Sequence, residues 1–201
     1  MTDASLRDAS IEELFARSGA LLDGHFALKS GRHAGRYLEK FLVLQHPPIG
    51  IEIGRRMAGM LAPYRPTLVV GPTTGGVLLS FEVARQLGGG VRAAFAEPVA
   101  SGGRALRRGW PVSASERVVV VDDILTTGAS LAETVAAVRD AGVDPLAAVV
   151  IVDRSVEPVD VGVPVHSLGR IRIPSWTPEA CELCAAGAPM VKPGSSTTAD
   201  R

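Results

Sequence analysis

Four consecutive valines run straight into two carboxylates at Val118-Val119-Val120-Val121-Asp122-Asp123, and no other segment constrains the chain as much. A short run of β-branched apolar residues reads as a strand buried on both faces. The two acids stand where that strand ends. Ile124 and Leu125 follow. Thr126-Thr127-Gly128-Ala129-Ser130 then makes a turn that opens an amphipathic helix carrying Leu131, Thr134, Val135 and Val138. Amides at a helix start lack partners and lie at the positive end of the helix dipole, so they attract an anion. The Thr and Ser hydroxyls add donors for a phosphate. Adjacent carboxylates accept hydrogen bonds from sugar hydroxyls and can hold Mg2+. The segment describes a pocket for a phosphorylated, hydroxyl-rich ligand at the carboxyl edge of a parallel sheet. The plainer alternative is an acidic turn that only caps a helix.

The rest of the chain reads as alternating strands and helices. Ser10-Ile11-Glu12-Glu13 is a capping box, and Ile11, Leu14, Phe15 and Leu21 continue at helical spacing, which predicts a helix over roughly 10–22. A short strand ends at the Ser30-Gly31 turn, and 37–44 reads as extended up to Pro47-Pro48. Ile49, Ile53, Met57 and Met60 mark a helix. Thr67 to Val70 is a strand leading into Gly71-Pro72-Thr73-Thr74-Gly75-Gly76, and Val77 to Leu87 is the helix after it. Val91 to Phe95 and Leu146 to Val152 are further strands. Residues 97–116 are polar and without period, a long loop or hairpin. Such alternation implies parallel βαβ units whose ligands bind beyond the carboxyl ends of the strands. The turns after Val70, Val121 and Val152 are therefore expected to cluster.

At 201 residues the chain has the length of one ordinary domain. Lys+Arg and Asp+Glu balance at 21 each, which argues against a nucleic-acid or membrane-surface partner. No apolar run nears the roughly 20 residues of a membrane span. The first ten residues lack the pattern of a signal peptide, so a cytoplasmic enzyme is expected. Cys181 and Cys184 are the only cysteines. One C-x2-C is half of a zinc site. Two reduced thiols packing a helix are the expectation, with a metal half-site completed across a dimer as the alternative. His25 and His33 receive no role.

The thirteen residues Val118–Ser130 resemble the phosphoribosyl pyrophosphate (PRPP) motif of the type I phosphoribosyltransferases: four apolar residues, two acids, two apolar residues, then Thr-(Thr/Ala/Gly)-Gly-x-(Ser/Thr). Phe26-Ala27-Leu28-Lys29-Ser30-Gly31-Arg32 is similar to the F-x-L-K-S-G signature of the orotate phosphoribosyltransferases. Val152-Asp153-Arg154 looks like the strand end whose Arg binds the orotate carboxylate there. Gly75-Gly76 and Cys181-Glu182-Leu183-Cys184 resemble a thermophile-like bacterial branch, and the likeness covers about 10–195.

The resemblance implies an α/β protein of the type I phosphoribosyltransferase fold, a mostly parallel sheet flanked by helices. A single domain over 1–195 would include a small hood from about 10–45 plus 155–190, and 196–201 would be a disordered tail. The implied reaction moves ribose 5-phosphate from PRPP to N1 of orotate, giving orotidine 5'-phosphate and pyrophosphate. Asp122 and Asp123 would bind the ribose hydroxyls as catalytic residues. Ile124, Leu125, Thr126, Thr127, Gly128, Ala129 and Ser130 would form the PRPP loop. Thr73, Thr74 and Gly75 would offer amides to the pyrophosphate. Thr126, Arg154, Lys29, Tyr37 and Leu38 would meet orotate, Lys29 reaching the pyrophosphate as well. Mg2+ would be held mainly through substrate, with Asp122 and Asp123 as the protein's carboxylates for it. A homodimer is implied, the loop 97–116 of one subunit reaching its partner's site.

The chain departs from the family pattern in two places. Thr74 and Gly75 stand where many members have Tyr-Lys, and the loop has no lysine. Arg104, Arg107 and Arg108 carry its charge, and one or more of them is expected to close over the pyrophosphate, Arg107 and Arg108 as catalytic groups. A solvated hairpin is the alternative. Lys29 could be a surface lysine, and Arg154 could pair with Asp153 or Glu157. A purine- or xanthine-type enzyme and a non-catalytic PRPP sensor are the other readings, because the sugar-phosphate motif never touches the base.

Overall fold

The computed structural model describes residues 3–28 and 30–193, with only the backbone of Asp3 and Ala4. Lys29 and the proposed tail 196–201 lie outside the described residues. The chain opens with a short helix α1 (Asp3–Arg7) and then α2 (Ile11–Arg17). The Ser10 hydroxyl accepts from the Glu13 amide and the Glu13 carboxylate accepts from the Ser10 amide, closing the capping box. The helix ends at Arg17, short of the expected residue 22. At the Ser18-Gly19 turn the Ala20 amide reaches back to the Phe15 carbonyl, and Leu21 goes into a strand.

That strand, β1 (Leu21–Ala27), pairs antiparallel with β2 (His33–Leu38). The extended reading of 37–44 also fails after Leu38. Glu39 caps a helix α3 (Lys40–Leu44) with its carboxylate on the Phe41 amide. Pro47 and Pro48 begin the next helix, α4 (Pro47–Leu61), because proline suits a first turn where no amide bond is needed.

The main sheet follows. Strand β3 (Leu68–Pro72) leads to α5 (Gly75–Leu87), then β4 (Arg92–Pro98) and its hairpin partner β5 (Arg104–Ala105). The valine strand β6 (Val118–Leu125) leads through α6 (Ala129–Asp140) to β7 (Ala148–Asp153) and β8 (Val165–Arg170). Their order is β5-β4-β3-β6-β7-β8, parallel except for β5. Side chains of β6 alternate between two cores. Val119 and Val121 pack with α2, α4 and α5 on one face, while Val118 and Val120 pack with α6 on the other. Both faces are covered, which is why the sequence there is a continuous apolar run.

Two-residue strands β9 (Ser175–Trp176) and β10 (Met190–Val191) flank β2 and β1 in a second sheet of order β10-β1-β2-β9. Between them lies a short helix α7 (Glu182–Ala185). Val165–Arg170 extends the main ladder alongside β7, and Ser175–Trp176 is the first C-terminal strand to join the second sheet. No helix among the described residues is long and apolar enough to cross a membrane.

One buried charge network ties α4 to the N-terminus. Glu52 is buried and receives three hydrogen bonds from Arg55 and Arg56, and Arg56 also donates to the carbonyls of Leu6 and Arg7. The Arg55 hydrogen bond, joined by that of Arg56, holds the Glu52 carboxyl down at about 2 against the opposing effect of burial. A depressed carboxyl contributes stability above its unfolded value of 4.5 and loses it as pH falls toward 2. Glu52→Gln is expected to lower urea stability at pH 7 by roughly 1–3 kcal/mol. The deficit should shrink as pH drops below 4.5; a deficit independent of pH would contradict this role.

Candidate active site

Strands β3 and β6 are neighbours, yet the helices that follow them, α5 and α6, pack on opposite faces of the sheet. A crevice must open between their carboxyl ends, the place where α/β sheets bind ligands. Pairing between the two strands stops at Val70 and Val120, while β6 stays paired to β7 as far as Leu125. Asp122 and Asp123 sit in that opening. They help line a cavity of about 680 Å³ together with Tyr37, Leu38, Lys40, Thr73, Arg104 and Arg154. Thr74, Gly75, Ile124, Thr126 and Ser130 also line it. Three separate turns thus meet at one pocket, as the alternation of the sequence implies.

Two glycines let the backbones close in. A Cβ on Gly75 would fall 2.2 Å from Asp123 Oδ2, so no side chain fits between the start of α5 and the acid pair. That close approach accounts for the glycine at this position. Gly128 caps α6 with φ +80°, and a Cβ there would fall 2.3 Å from Val159 Cγ1. Only glycine meets both conditions. The turn 126–130 thereby presents its amides at the start of α6, with Thr126 and Thr127 exposed. Leu125 points the other way, into the core under α6, so only its backbone can serve a ligand.

The acid pair is buried, with Asp122 at 5% and Asp123 at 3% exposure. Burial first, and the Asp123 charge second, push the Asp122 carboxyl up to about 6. The hydrogen bond from the Asp123 amide opposes that rise, as do the charge of Lys40 and the Ser130 side chain. Lys40 Nζ lies 3.0 Å from Asp123 Oδ1 and donates to it. It also lies 2.9 Å from Oδ2, outside hydrogen-bonding geometry, which leaves Oδ2 buried without a hydrogen bond. An unsatisfied carboxylate oxygen in a pocket fits a hydroxyl donor or a hard cation.

Arg154 lies beyond the end of β7, its amide on the Leu125 carbonyl. Burial lowers its guanidinium from the ordinary arginine range, and Nε is buried without a partner. Asp153, one of the two acids expected to compete for it, instead faces Arg170 and accepts from Ser155. Among the described residues no ion pair holds Arg154. Tyr37 is half-buried beside it, with its hydroxyl raised mainly by burial. Phe26 backs Tyr37 with ring centroids 5.6 Å apart, and Leu38 is buried.

The loop arginines separate. Arg104 reaches into the pocket, donating at 3.3 Å to the Thr73 carbonyl, the Thr73 hydroxyl and the Ala96 carbonyl, with Glu133 3.3 Å from its Nε. Arg108 is committed to Glu97 through two hydrogen bonds, and Arg107 is exposed. Neither lines this cavity. The sequence reading missed Lys40. Its one signal was a lysine just past the tyrosine strand, and only the fold shows that α3 carries it to Asp123.

Residues 43–168 match the family model of the phosphoribosyl transferase domain. The orotate phosphoribosyltransferase of Pelotomaculum thermopropionicum is 45% identical over 185 residues, 92% of this chain and 96% of that one. That of Thermotoga maritima is 42% identical over 185 residues, 92% and 97% of the two chains. Among solved structures, the Mycobacterium tuberculosis orotate phosphoribosyltransferase in complex with Fe(III) dicitrate superposes with TM-score 0.67 at 27% identity, covering 84% of this chain and 96% of that chain. The Aeropyrum pernix enzyme gives 0.61 at 27%, covering 80% and 93%.

A carboxyl raised from 3.8 to about 6 binds its proton more tightly folded than unfolded. Its ionisation therefore lowers stability as pH climbs through that window, by up to roughly 3 kcal/mol. Asparagine cannot ionise. The melting temperature of Asp122→Asn relative to the unaltered protein should rise by roughly 3–8 °C between pH 4 and pH 8. A difference that stays flat over that range would contradict the burial argument.

Proposed function

This chain belongs to the orotate phosphoribosyltransferases of the phosphoribosyl transferase domain family, and from that premise we propose how its own residues divide the reaction. The enzyme transfers ribose 5-phosphate from PRPP to N1 of orotate, releasing pyrophosphate. Asp122 and Asp123 accept hydrogen bonds from the ribose hydroxyls. The turn 126–130 holds the 5'-phosphate with amides and hydroxyls. Thr73, Thr74 and Gly75 offer amides to the pyrophosphate, and Arg104 supplies the cation beside them. Arg154 takes the orotate carboxylate with its planar guanidinium, while Tyr37, Leu38 and Thr126 flank the ring. Lys29 adds a further contact to orotate and pyrophosphate.

The observation that carries this reading is the pairing of two unlike ends in one cavity. One end has a phosphate turn and two buried acids. The other has a half-buried arginine with no ion pair. A purine base offers no carboxylate to answer that arginine. The transition state gathers positive charge on the ribose and negative charge on the leaving pyrophosphate. Asp122 and Asp123 lie on the ribose side, and Arg104 lies on the pyrophosphate side. Positioning and electrostatics supply the catalysis. Asp123 Oδ2 makes no hydrogen bond, though Lys40 Nζ lies 2.9 Å away, and with Asp122 it would hold Mg2+, which would supply charge neutralisation for PRPP.

The enzyme is proposed to be a cytoplasmic homodimer. Ile51, Leu78 and Phe81 expose large apolar surface on α4 and α5. Arg107, exposed and away from its own cavity, is then available to the pocket of the partner subunit, whereas Arg108 would first have to leave Glu97. Phe81→Glu should shift the protein from dimer to monomer in sedimentation; an unshifted dimer would move the interface elsewhere.

Lysine cannot copy a bidentate carboxylate pair. Arg154→Lys should raise KM for orotate about 10- to 100-fold and leave KM for PRPP within about threefold. An unchanged orotate KM would remove Arg154 from the base site. Equal losses for both substrates would make it structural.

A further inference from the structure

Away from the pocket, His25 on β1, His33 on β2 and the two cysteines of the C-terminal segment converge on one point. Their four ligand atoms all lie within 4.8 Å of one another. His25 Nε2 is 3.1 Å from His33 Nδ1, 3.5 Å from Cys181 Sγ and 3.6 Å from Cys184 Sγ, and His33 Nδ1 is 3.2 Å from Cys184 Sγ. A tetrahedral zinc ion bound by two nitrogens and two sulfurs sets its ligand atoms roughly 3.3–3.8 Å apart, given the usual Zn–N and Zn–S lengths.

We propose that His25, His33, Cys181 and Cys184 form a structural Cys2His2 site for a borderline-soft divalent ion, zinc by preference. Hydrogen bonding alone does not account for the cluster. The Nδ1 of His25 faces the Ala188 carbonyl at 3.0 Å, and donating to it leaves Nε2 as a bare lone pair. One lone pair cannot serve three neighbours, but it can serve one ion that all four groups share. A carbonyl fixing the far nitrogen is also the usual support for a metal-bound histidine. Two thiolates balance the ion's charge, so no net charge is buried. His25, His33 and Cys181 are buried and Cys184 is exposed, which shields the ion while leaving an entry.

The site joins both ends of the small sheet. That sheet has two-residue outer strands and little core of its own, the situation in which a metal staple adds most. Its β2 strand also carries Tyr37 and Leu38, so the ion would brace the base side of the pocket without touching substrate.

Elemental analysis of the full-length protein, purified without a histidine tag under reducing conditions, is the test. About one zinc per chain is expected. Replacing it with Co2+ alone should give the visible bands of tetrahedral, thiolate-bound cobalt. The double variant Cys181→Ser, Cys184→Ser should lose both. Stripping the unaltered protein with a strong chelator should lower its melting temperature by roughly 5 °C or more. Zinc below about a tenth of an equivalent with only octahedral cobalt spectra would overturn the proposal. So would isolation of Cys181 and Cys184 as a disulfide from protein never exposed to oxidant. The measurements on the unaltered chain stand even where the double variant does not fold.

Discussion

Asp122 and Asp123 lie side by side in the opening between β3 and β6, and like charges at that depth repel unless their surroundings answer them. Each nearby feature is an answer. Lys40 brings a cation across from α3, and the amides of Asp123 and Ile124 turn back onto the carboxylates. The Ser130 side chain, in the first turn of α6, also lowers the Asp122 carboxyl. The balance is deliberately incomplete in physical terms: Asp122 stays raised and Asp123 Oδ2 stays without a hydrogen bond. An acid pair fully satisfied by its own protein would have nothing left for a sugar hydroxyl or a cation.

The same constraint shapes the backbone. Holding two acids at the end of a strand requires that strand to be anchored. β6 does this by packing valines into both cores and by pairing with β7 beyond the point where β3 turns away. Gly75 lets the start of α5 approach the acids, and Gly128 lets the next turn double back. Lys40 links the small sheet to this arrangement through α3. The wall of the pocket formed by Tyr37 and Leu38 on β2 is thus tied to the acid pair by an ion pair as well as by the chain.

What could be read from the chain beforehand follows how local its causes are. The strand, acid pair and turn at 118–130 are contiguous, so their pattern reports their structure directly, and the capping box at Ser10 likewise. Arg154 could be placed because it ends a strand next to the motif strand. The helical spacing over 10–22 runs past the real helix end because Leu21 keeps the period while its contact is a strand partner, Leu38. The α3 helix went unseen because five residues after a strand carry too little period. Lys40, and the meeting of His25 and His33 with cysteines more than 140 residues away, depend wholly on tertiary contact. No local pattern announces them. The orotate signature itself crosses Lys29, which lies outside the described residues, so the base side rests on Arg154 and Tyr37.

The proposed function requires one pocket to take a sugar phosphate and an acidic base together. The most direct measurement is ultraviolet absorbance of orotate, with xanthine, hypoxanthine and adenine in parallel, each mixed with enzyme, Mg2+ and PRPP. Loss of the orotate band in proportion to enzyme, with the purines untouched, is the predicted result. Turnover of a purine in place of orotate would contradict the assignment of Arg154 to a substrate carboxylate, and with it the account of the base side.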